Sequence, residues 1–560
     1  MFTALKSLFP KKASTPADEC STYKKRGDEH LKLDRLDDAA ACYRRALSIS
    51  PDYVDACVGL GFVLGEQKQF VDARQYLQHA VSIDPANADA HYILGTIAKS
   101  QNDLVGSIDH FTRAVKVKTD FEFAYRDLFA ALLQSEQIQK AKDVLVTAVA
   151  AYPESAEFQF NLGNLLNHEN DFDGAVTCYE KVLSIQPGFA ECHKNLADVL
   201  RKRGQFDQAV ASYQKALWFE PKLVDAHFGL GSVMQSQGKL DKAMACYERA
   251  VTLRPEYTAA QIGVGSILES QGKMDEAIAC YRRAVTLEPI LPAAYQFLGN
   301  ALLGRGETQD AVACYEQVVR LDPENAVKHM LAALSGRDSE RAPSGYVEQL
   351  FDQYAHKFDS HLVEVLSYSV PEKLMDLLRP YSDSNGEKWT VLDLGCGTGL
   401  SGAAIAPYAR QIVGVDLSAK MLEKARERNL YDRLEHLDLL TMMQVEAASS
   451  YDVVLAADVF VYLGKLDELV DQAQRLLRPA GFFAFSVESL DALTDPTEAL
   501  SDQRDHKLNI TGRYAHSRAY LTRMAAHNGF EVLSTMETQS RLDKGKPVQG
   551  YLALWRRASA

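Results

Sequence analysis

Three glycines alternate with other residues at positions 395, 397 and 399, directly after the apolar run 389–394. Glycine allows the backbone to approach a ligand closely, and such a loop after a strand is where nucleotide-like ligands bind in α/β sheets. Asp416 ends the next apolar run, 17 residues after Gly399, and its carboxylate could accept hydrogen bonds from two ribose hydroxyls. The pattern therefore indicates a nucleoside site.

A glycine loop alone does not choose among nucleoside ligands, because dinucleotide-binding folds use one too. Here the spacing is G-x-G-x-G rather than G-x-G-x-x-G. A further acid, Asp438, follows the third apolar run and suits an adenine amino group, and Asp458 and Tyr462 follow the fourth. These features favour methyl transfer over hydride transfer with a nicotinamide.

The elements that would position these side chains are short apolar runs alternating with helix-like stretches, which predict a parallel sheet covered by helices. The predicted strands are 389–394, 411–416, 434–437, 451–456, 481–487, 530–537 and 548–556, and the predicted helices are 418–428, 466–477 and 514–528. The last two strands are joined by a turn at 543–546, too short for a helical crossover, so they should pair antiparallel at one edge.

The loop 391–399 and the acids after it resemble the class I S-adenosylmethionine-dependent methyltransferases. The resemblance implies a Rossmann-like α/β domain with a mostly parallel seven-stranded sheet and S-adenosyl-L-methionine as the cofactor. It implies cofactor contacts from the following residues: Asp393, Gly395, Cys396, Gly397, Gly399, Asp416, Leu417, Met421, Asp438, Leu439 and Asp458.

Catalysis with an activated methyl group consists mainly of holding the acceptor in line and excluding water. A base is needed only if the acceptor must lose a proton, and the candidates near the strand ends are Asp458, Tyr462, Tyr514 and His516. Asp458 could instead be a cofactor-binding or helix-capping carboxylate. His516 could instead face solvent at the start of the helix 514–528.

Two further segments are expected at the acceptor site. The helix 346–362 could fold over the cofactor as a lid through Tyr354, Phe358 and His361, although their helical spacing is also typical of packing. The loop 488–511 is long, acidic and irregular, and loops of that length are usually functional or disordered.

The first half of the chain repeats every 34 residues. Prolines mark the repeat at intervals of 34 residues, except for one interval of 68 residues between Pro85 and Pro153. They are Pro51, Pro85, Pro153, Pro187, Pro221, Pro255, Pro289 and Pro323. Nine units fill 20–325, with small residues at the eighth position except for Phe129, small residues at the twentieth, and an aromatic residue at most twenty-fourth positions. This pattern resembles the tetratricopeptide repeat and implies an all-α superhelix with a concave groove for a protein or peptide partner.

Polar side chains on the first helix of each repeat are candidates for lining that groove, or form a solvated polar face: Asn161, Asn164, Lys194, Asn195, Asp198, Arg201 and Asn300. After the repeats, 326–334 reads as a capping helix and 336–345 as a linker. The sequence thus predicts an N-terminal segment 1–19, repeats 20–325, a cap and linker 326–345, and the methyltransferase domain 346–556. The segments 346–362, 456–464 and 513–517 resemble the bacterial predicted methyltransferases that carry such repeats.

The composition narrows the function further. The net charge of −14 argues against nucleic acid as a main partner. None of the nine cysteines forms a C-x-x-C pair, so we expect packing residues in a reducing cytoplasm and no metal site. No apolar run approaches the ~18 residues of a membrane span. The repeats could bring a protein substrate to the enzyme, dock a small-molecule methyltransferase to an assembly, or belong to a scaffold with a vestigial cofactor site.

Overall fold

The computed structural model describes residues 16–337, 339–355, 358–360, 368–382, 388–492, 504–543 and 546–559. The chain divides into two compact units, Met1–Ile267 and Leu268–Ala560. The boundary between them lies inside the helix Thr258–Ser270. The first unit is built from repeat helices, and the second contains the last repeat helices and an α/β domain.

Consecutive helices of 13–17 residues form the repeats in the described part of the chain. They are α1 (Pro16–Lys32), α2 (Leu36–Ile49), α3 (Val54–Glu66), α4 (Phe70–Ile83), α5 (Ala88–Ser100), α6 (Leu104–Val117), α7 (Glu122–Gln134), α8 (Ile138–Ala151), α9 (Ala156–His168), α10 (Phe172–Ile185), α11 (Ala190–Lys202), α12 (Phe206–Phe219), α13 (Val224–Ser236), α14 (Leu240–Leu253), α15 (Thr258–Ser270), α16 (Met274–Leu287), α17 (Pro292–Arg305) and α18 (Thr308–Leu321).

In the repeats, small residues pack directly against the aromatic ring at the twenty-fourth position, as the first repeat illustrates. The buried ring of Tyr43 lies against Gly27 of its own repeat, where an added Cβ would come within 2.6 Å of the ring. The same ring lies against Gly59 of the next repeat, where a Cβ would come within 2.7 Å. The twenty-fourth position therefore fills the gap between neighbouring pairs, as the spacing predicts.

Each repeat turns between its two helices through one residue in the left-handed conformation, always at the same repeat position. These residues are Asp34, Lys68, Asn102, Glu136, Asn170, Gly204, Gly238, Gly272 and Gly306. The glycines and asparagines at this position were predicted to end helices, and that prediction is confirmed. The side chains of Lys68 and Glu136 occupy the same conformation at a steric cost.

The α/β domain contains a mostly parallel sheet. Its strands are β1 (Trp389–Leu394), β2 (Ala409–Asp416), β3 (Arg433–His436), β4 (Tyr451–Ala456), β5 (Leu477–Ser489), β6 (His506–Leu508), β7 (Tyr514–His516), β8 (Phe530–Asp543) and β9 (Lys546–Arg557). The strands β3-β2-β1-β4-β5 are parallel neighbours, and β9 lies antiparallel between β5 and β8. These seven strands form the predicted sheet, and the antiparallel pairing of its last two strands is confirmed.

Nine helices follow the repeats in the described part of the chain. They are α19 (Val327–Leu334), α20 (Ser344–Tyr354), α21 (Phe358–Ser360), α22 (Val370–Leu378), α23 (Leu400–Ile405), α24 (Ala419–Glu427), α25 (Leu439–Val445), α26 (Asp467–Leu476) and α27 (Arg518–His527), with 3₁₀ turns at Arg379–Tyr381, Ala406–Tyr408 and Phe460–Tyr462. Successive residues of β1 belong to different apolar clusters, Val391 to one and Leu392 to the other. The sheet is therefore buried on both sides.

One predicted helix needs correction. The segment 514–528 is not a single helix, because Tyr514–His516 forms β7 and the helix begins only at Arg518. β7 pairs with the end of β5 and with β6, and the Ser517 hydroxyl caps α27 by accepting from the Tyr520 amide. Strand pairing with distant residues therefore overrides the local helical pattern. None of the described helices is long and apolar enough to cross a membrane.

Candidate functional site

A cavity of about 420 Å³ lies at the carboxyl ends of β1, β2 and β4. Ligands bind at this edge in open parallel sheets, where the strand order reverses between β1 and β4. Its walls come from the loops after β1, β2, β3 and β4 and from the helices α20, α21 and α22. Two residues before β7, Thr511 and Arg513, and one residue of β8, Arg541, also contribute to the lining.

The floor of the cavity is the loop after β1. Gly395, Gly397 and Gly399 all have positive φ, at 63°, 54° and 90°. A Cβ on Gly395 would lie 2.6 Å from the Val459 side chain, so only glycine fits there. A Cβ on Gly397 would meet nothing nearer than Phe358, 3.9 Å away, and it would occupy space that now belongs to the cavity.

Asp416 lies at the end of β2 and lines the same cavity. Its Oδ2 accepts the Gly397 amide at 2.9 Å and its Oδ1 accepts the Ser418 amide at 2.8 Å. Burial raises the pKa of the Asp416 carboxyl, and the backbone N–H groups oppose that shift. Each carboxylate oxygen has a second lone pair for a ligand, so the arrangement fits a diol such as that of ribose.

The segment before β1 closes over the loop. Asp352 of α20 accepts a hydrogen bond from the Ser418 hydroxyl at 2.5 Å. Asp359 of α21 contacts both the Thr398 hydroxyl and the Arg428 guanidinium. Phe358 lines the cavity. The described part of the predicted helix 346–362 thus contacts the glycine loop, and its role as a lid stays a prediction. Residues 356–357 and 361–362, which include His361, lie outside the described residues.

The other end of the cavity is polar and buried. Asp458 follows β4 with φ of 59°, and its Oδ2 accepts from Arg513 Nη1 at 3.3 Å. Arg513 Nη2 donates to the Tyr462 hydroxyl at 3.1 Å, and the guanidinium carbon lies 5.3 Å from the centroid of the Tyr462 ring. The left-handed backbone at Asp458 is costly for a non-glycine residue, and the contact with Arg513 helps to hold it at the cavity wall.

A second arginine reaches the same corner from β8. Arg541 Nη2 donates to Glu488 Oε1 at 2.7 Å, and Arg513 Nη1 lies 3.4 Å from that oxygen. The side chains of Glu488 and Arg541 are 6% and 8% exposed, so this is a buried ion pair. Arg513 and Arg541 both line the cavity.

Comparisons with known proteins agree with this geometry. A family model described as a methyltransferase domain matches residues 392–483, from β1 into β5. Models described as tetratricopeptide repeats match 30–97, 126–188, 178–211, 235–292 and 268–334, and a TPR repeat model matches 197–238. The chain is a methyltransferase-domain protein that carries tetratricopeptide repeats.

Two curated relatives each match about a quarter of the chain. A malonyl-[acyl-carrier protein] O-methyltransferase of Halalkalibacterium halodurans is 32% identical over 149 residues, which cover 25% of this chain and 54% of that protein. A probable S-adenosylmethionine-dependent methyltransferase, CRG1 of Saccharomyces cerevisiae, is 28% identical, covering 26% of this chain and 50% of that protein. The chain thus spans about half the length of the curated relatives it matches. Among solved structures, the MamA protein is 26% identical, with 31% of this chain and 94% of MamA covered and a TM-score of 0.27.

The structure brings most of the predicted site residues of the methyltransferase domain together. The residues that line the cavity are Gly395, Cys396, Gly397, Asp416, Leu417, Asp438, Leu439, Asp458 and Tyr462. Asp438 also caps α25 by accepting the Leu440 amide.

Three residues of the predicted cofactor set do not line the cavity. Met421 is fully buried in α24. Gly399 is the N-cap of α23, where a Cβ would crowd Arg428 and Tyr431. Asp393 is fully buried in β1, where burial raises its pKa to about 7 and the Tyr431 hydroxyl donates to its Oδ2 at 2.7 Å. These three residues therefore do not contact the cavity directly.

The structure does not place Tyr514 or His516 at the cavity. Tyr514 is fully buried, and its hydroxyl contacts the Ser339 hydroxyl. His516 is also fully buried, its Nε2 donates to the Gly464 carbonyl at 3.0 Å, and burial lowers its pKa to about 4. Their position in β7 rather than at the start of a helix explains the difference.

Sequence reasoning missed Arg513, Arg541 and Glu488 as site residues. Arg513 stands in the segment 513–517 that carried the resemblance, yet nothing in the sequence gave it a role. Arg541 and Glu488 are 53 residues apart on different strands, and only the β5-β9-β8 order brings them together. Within the predicted acceptor loop 488–511, residues 493–503 lie outside the described residues. The described parts are not wholly irregular, because β5 runs to Ser489 and His506–Leu508 forms β6.

Proposed function

We propose that the chain is an S-adenosylmethionine-dependent methyltransferase. The observation that carries the proposal is Asp416, whose two oxygens are fixed by backbone amides with free lone pairs beside a glycine floor. A ribose diol fits that acceptor set, and the space over Gly397 is what a nucleoside would need.

The remaining lining residues suit the rest of the cofactor. Leu417 and Leu439 offer apolar surface beside Asp438, a combination that suits adenine. Bound S-adenosylmethionine supplies a methyl group on a positively charged sulfur. Asp458 contributes a carboxylate to the cavity wall, and α20 and α21 would exclude water from the bound cofactor. The chain's own residues therefore bind, orient and enclose the reactants.

Calorimetric titration of the full chain with S-adenosylhomocysteine tests this proposal. Hydrogen bonds to a charged group contribute ~1.5–3 kcal/mol, so we expect Asp416→Ala to weaken binding about 10- to 100-fold. Glu423→Gln, an exposed change in the following helix, should leave affinity unchanged. Equal affinity in wild type and Asp416→Ala would remove the ribose role, and no binding to the wild-type chain would remove the enzyme.

The methyl acceptor and the role of the repeats form a second step of the proposal. We propose that the repeats 20–325 bind a protein partner that brings the acceptor, while 326–345 joins them to the methyltransferase domain 346–556. In the proposed groove, Asn164, Asp198 and Asn300 accept hydrogen bonds from tyrosines of their own repeats. Arg201 of α11 differs, because its Nε is buried with no partner among the described residues.

Labelled methyl transfer in a cell extract distinguishes the roles of the repeats. If they deliver a protein substrate, Arg201→Ala should reduce the label in the protein fraction and leave S-adenosylhomocysteine affinity unchanged. Lys222→Ala, an exposed lysine nearby in the array, is the matched control. Label that appears only on small molecules, unchanged by Arg201→Ala, would favour an enzyme that is merely docked to an assembly. The nine free cysteines fit a reducing compartment such as the cytoplasm.

A further inference from the structure

The polar corner of the cavity contains two arginines that share one carboxylate. Glu488 Oε1 lies 2.7 Å from Arg541 Nη2 and 3.4 Å from Arg513 Nη1. Arg513 is also held by Asp458 at 3.3 Å. Two positive charges are thus matched by two negative charges, but one hydrogen-bond donor of the cluster has no partner among the described residues.

The group with the unpaired donor is Arg541. Its residue is 7% exposed, and its Nε is buried with no hydrogen-bond partner among the described residues. Leaving a buried donor of a charged group unpaired is costly, and proteins rarely keep such a donor without a use. Because Arg541 lines the cavity, a ligand oxygen there could satisfy it.

The position of the arginines separates them from the nucleoside end. Asp416 ends β2, whereas Glu488, which both arginines contact, lies on β5. β1 and β4 stand between these strands, so three strand spacings, roughly 14 Å, separate the two ends. The arginines therefore face the part of the cavity beyond the methyl-donor site.

We infer that Arg541 and Arg513 bind a carboxylate of the methyl acceptor. A guanidinium fork matches a carboxylate with two parallel hydrogen bonds, and a water-poor site strengthens them. The inference rests on the proposed methyltransferase activity and names the chemical class of its acceptor. Tyr462, fixed by Arg513 and facing the same space, forms the apolar side of that subsite.

Two reactions are compatible with a carboxylate in this position. In one, a carboxylate oxygen attacks the methyl carbon, one O–C bond forms, the S–C bond breaks, and its electron pair stays on sulfur. That reaction releases no proton and gives a methyl ester. In the other, the carboxylate is only a handle, and a different acceptor atom takes the methyl group and loses any proton to solvent. Esters are cleaved by mild base, whereas N- and C-methyl products are not.

Calorimetry on the full chain tests carboxylate binding without relying on turnover. Acetate, malonate, succinate and benzoate would be titrated with and without S-adenosylhomocysteine, each beside its uncharged amide. We expect at least one carboxylate to bind and its amide to bind about 10- to 100-fold more weakly. If no carboxylate binds, or if amides bind equally well, the inference fails.

Variants locate the site. Arg541→Gln should weaken the bound carboxylate about 10-fold or more, Arg541→Lys less, and the exposed Arg379→Gln not at all. Arg541→Lys keeps the charge beside Glu488, so it remains informative if Arg541→Gln does not fold. Unchanged carboxylate affinity in both Arg541 variants would overturn the inference.

The same variants distinguish the acceptor from the cofactor. If Arg541→Gln weakens S-adenosylhomocysteine as much as the carboxylate, the arginines hold the carboxylate of the cofactor and the inference is wrong. If S-adenosylhomocysteine fails to bind the wild-type chain at all, the proposed function fails instead, and carboxylate binding in the absence of that ligand is read separately. Base treatment of the labelled product then separates ester formation from the use of the carboxylate as a handle.

Discussion

The repeats and the methyltransferase domain use polar side chains in opposite ways. In the repeats, a tyrosine hydroxyl bonds a residue 15 positions earlier in the same repeat, as Tyr179 does with Asn164 and Tyr315 with Asn300. At the candidate site, Arg513 and Asp458 are 55 residues apart in the sequence, and Arg541 and Glu488 are 53 apart. Side chains that bond close neighbours in the sequence can be predicted from the sequence. Side chains that bond distant residues come together only when the chain folds.

The largest difference should appear when one charge is removed from each region. Glu488→Gln leaves Arg541 without its buried counter-ion, and breaking such a pair costs about 3–5 kcal/mol. In the repeats, Asp173→Asn removes the negative charge that pairs with Arg203. The Asp173 side chain is 87% exposed, so the change should lower the free energy of unfolding by less than about 1 kcal/mol.

Tryptophan fluorescence can follow the first of these variants in urea. Trp389 and Trp555 are buried in the α/β domain, whereas Trp218 is 82% exposed and should respond little to unfolding. Far-ultraviolet circular dichroism, dominated by the repeat helices, follows the second. Equal losses of stability in the two variants would show that the site is no more dependent on its ion pairs than the repeats are.

A smaller difference is expected from two tyrosine-to-phenylalanine changes. Tyr431→Phe removes the donor to Asp393, whose other oxygen already has no partner among the described residues, and should cost about 2–3 kcal/mol. Tyr315→Phe removes the hydrogen bond to Asn300. Because the Asn300 amide is exposed, water can replace the lost donor, and the free energy of unfolding should fall by about 1 kcal/mol or less. Similar urea midpoints for the two variants would contradict this contrast.

A pH series isolates Asp393 itself. Burial raises its pKa to about 7, so the folded domain binds this proton more tightly than the unfolded chain does. The resulting stability is fully present below the ordinary pKa near 4 and is lost as the pH rises through 7. The stability of Asp393→Asn relative to wild type should therefore rise by about 2 kcal/mol between pH 5 and pH 7, then level off.

Subtracting the stability of the wild type from that of Asp393→Asn at each pH cancels the contributions of groups that titrate in both proteins. His516 is the main one, because its pKa of about 4 makes its contribution run the other way, with stability lost as the pH falls below about 6.5. A relative stability of Asp393→Asn that does not change with pH would mean that the carboxyl keeps its ordinary pKa. Asp393 would then be better solvated than its position in β1 indicates.

The two regions also differ in how far the sequence predicted them. β1 and β4 were predicted to the residue, since they are continuous apolar runs buried on both faces. The strand Tyr514–His516 was predicted as helix, because its pairing with β5 is set by distant residues. Asp416 was found through its spacing from a glycine loop, whereas Arg541 lies in a strand without any motif. A motif predicts residues that lie at a fixed spacing from it in the sequence. Pairs that only the folded chain brings together cannot be predicted in this way.

The smallest effect concerns the left-handed residue between the two helices of each repeat. It tests whether the backbone conformation alone decides which residues are favourable there. Lys68 and Gly204 occupy the same place in their repeats, with φ of 60° and 73°. Lys68→Gly removes a side chain from the left-handed conformation and should stabilise the array by up to about 1 kcal/mol, with glycine's greater freedom in the unfolded chain offsetting part of the gain.

Gly204→Ala is the matched reverse change and should cost about 1 kcal/mol. A Cβ at Gly204 would meet nothing within 4 Å, so the cost can come only from the backbone. If circular dichroism shows both changes to be destabilising, the Lys68 side chain contributes contacts of its own. The repeats would then share with the methyltransferase site a dependence on particular side chains that their regular spacing conceals.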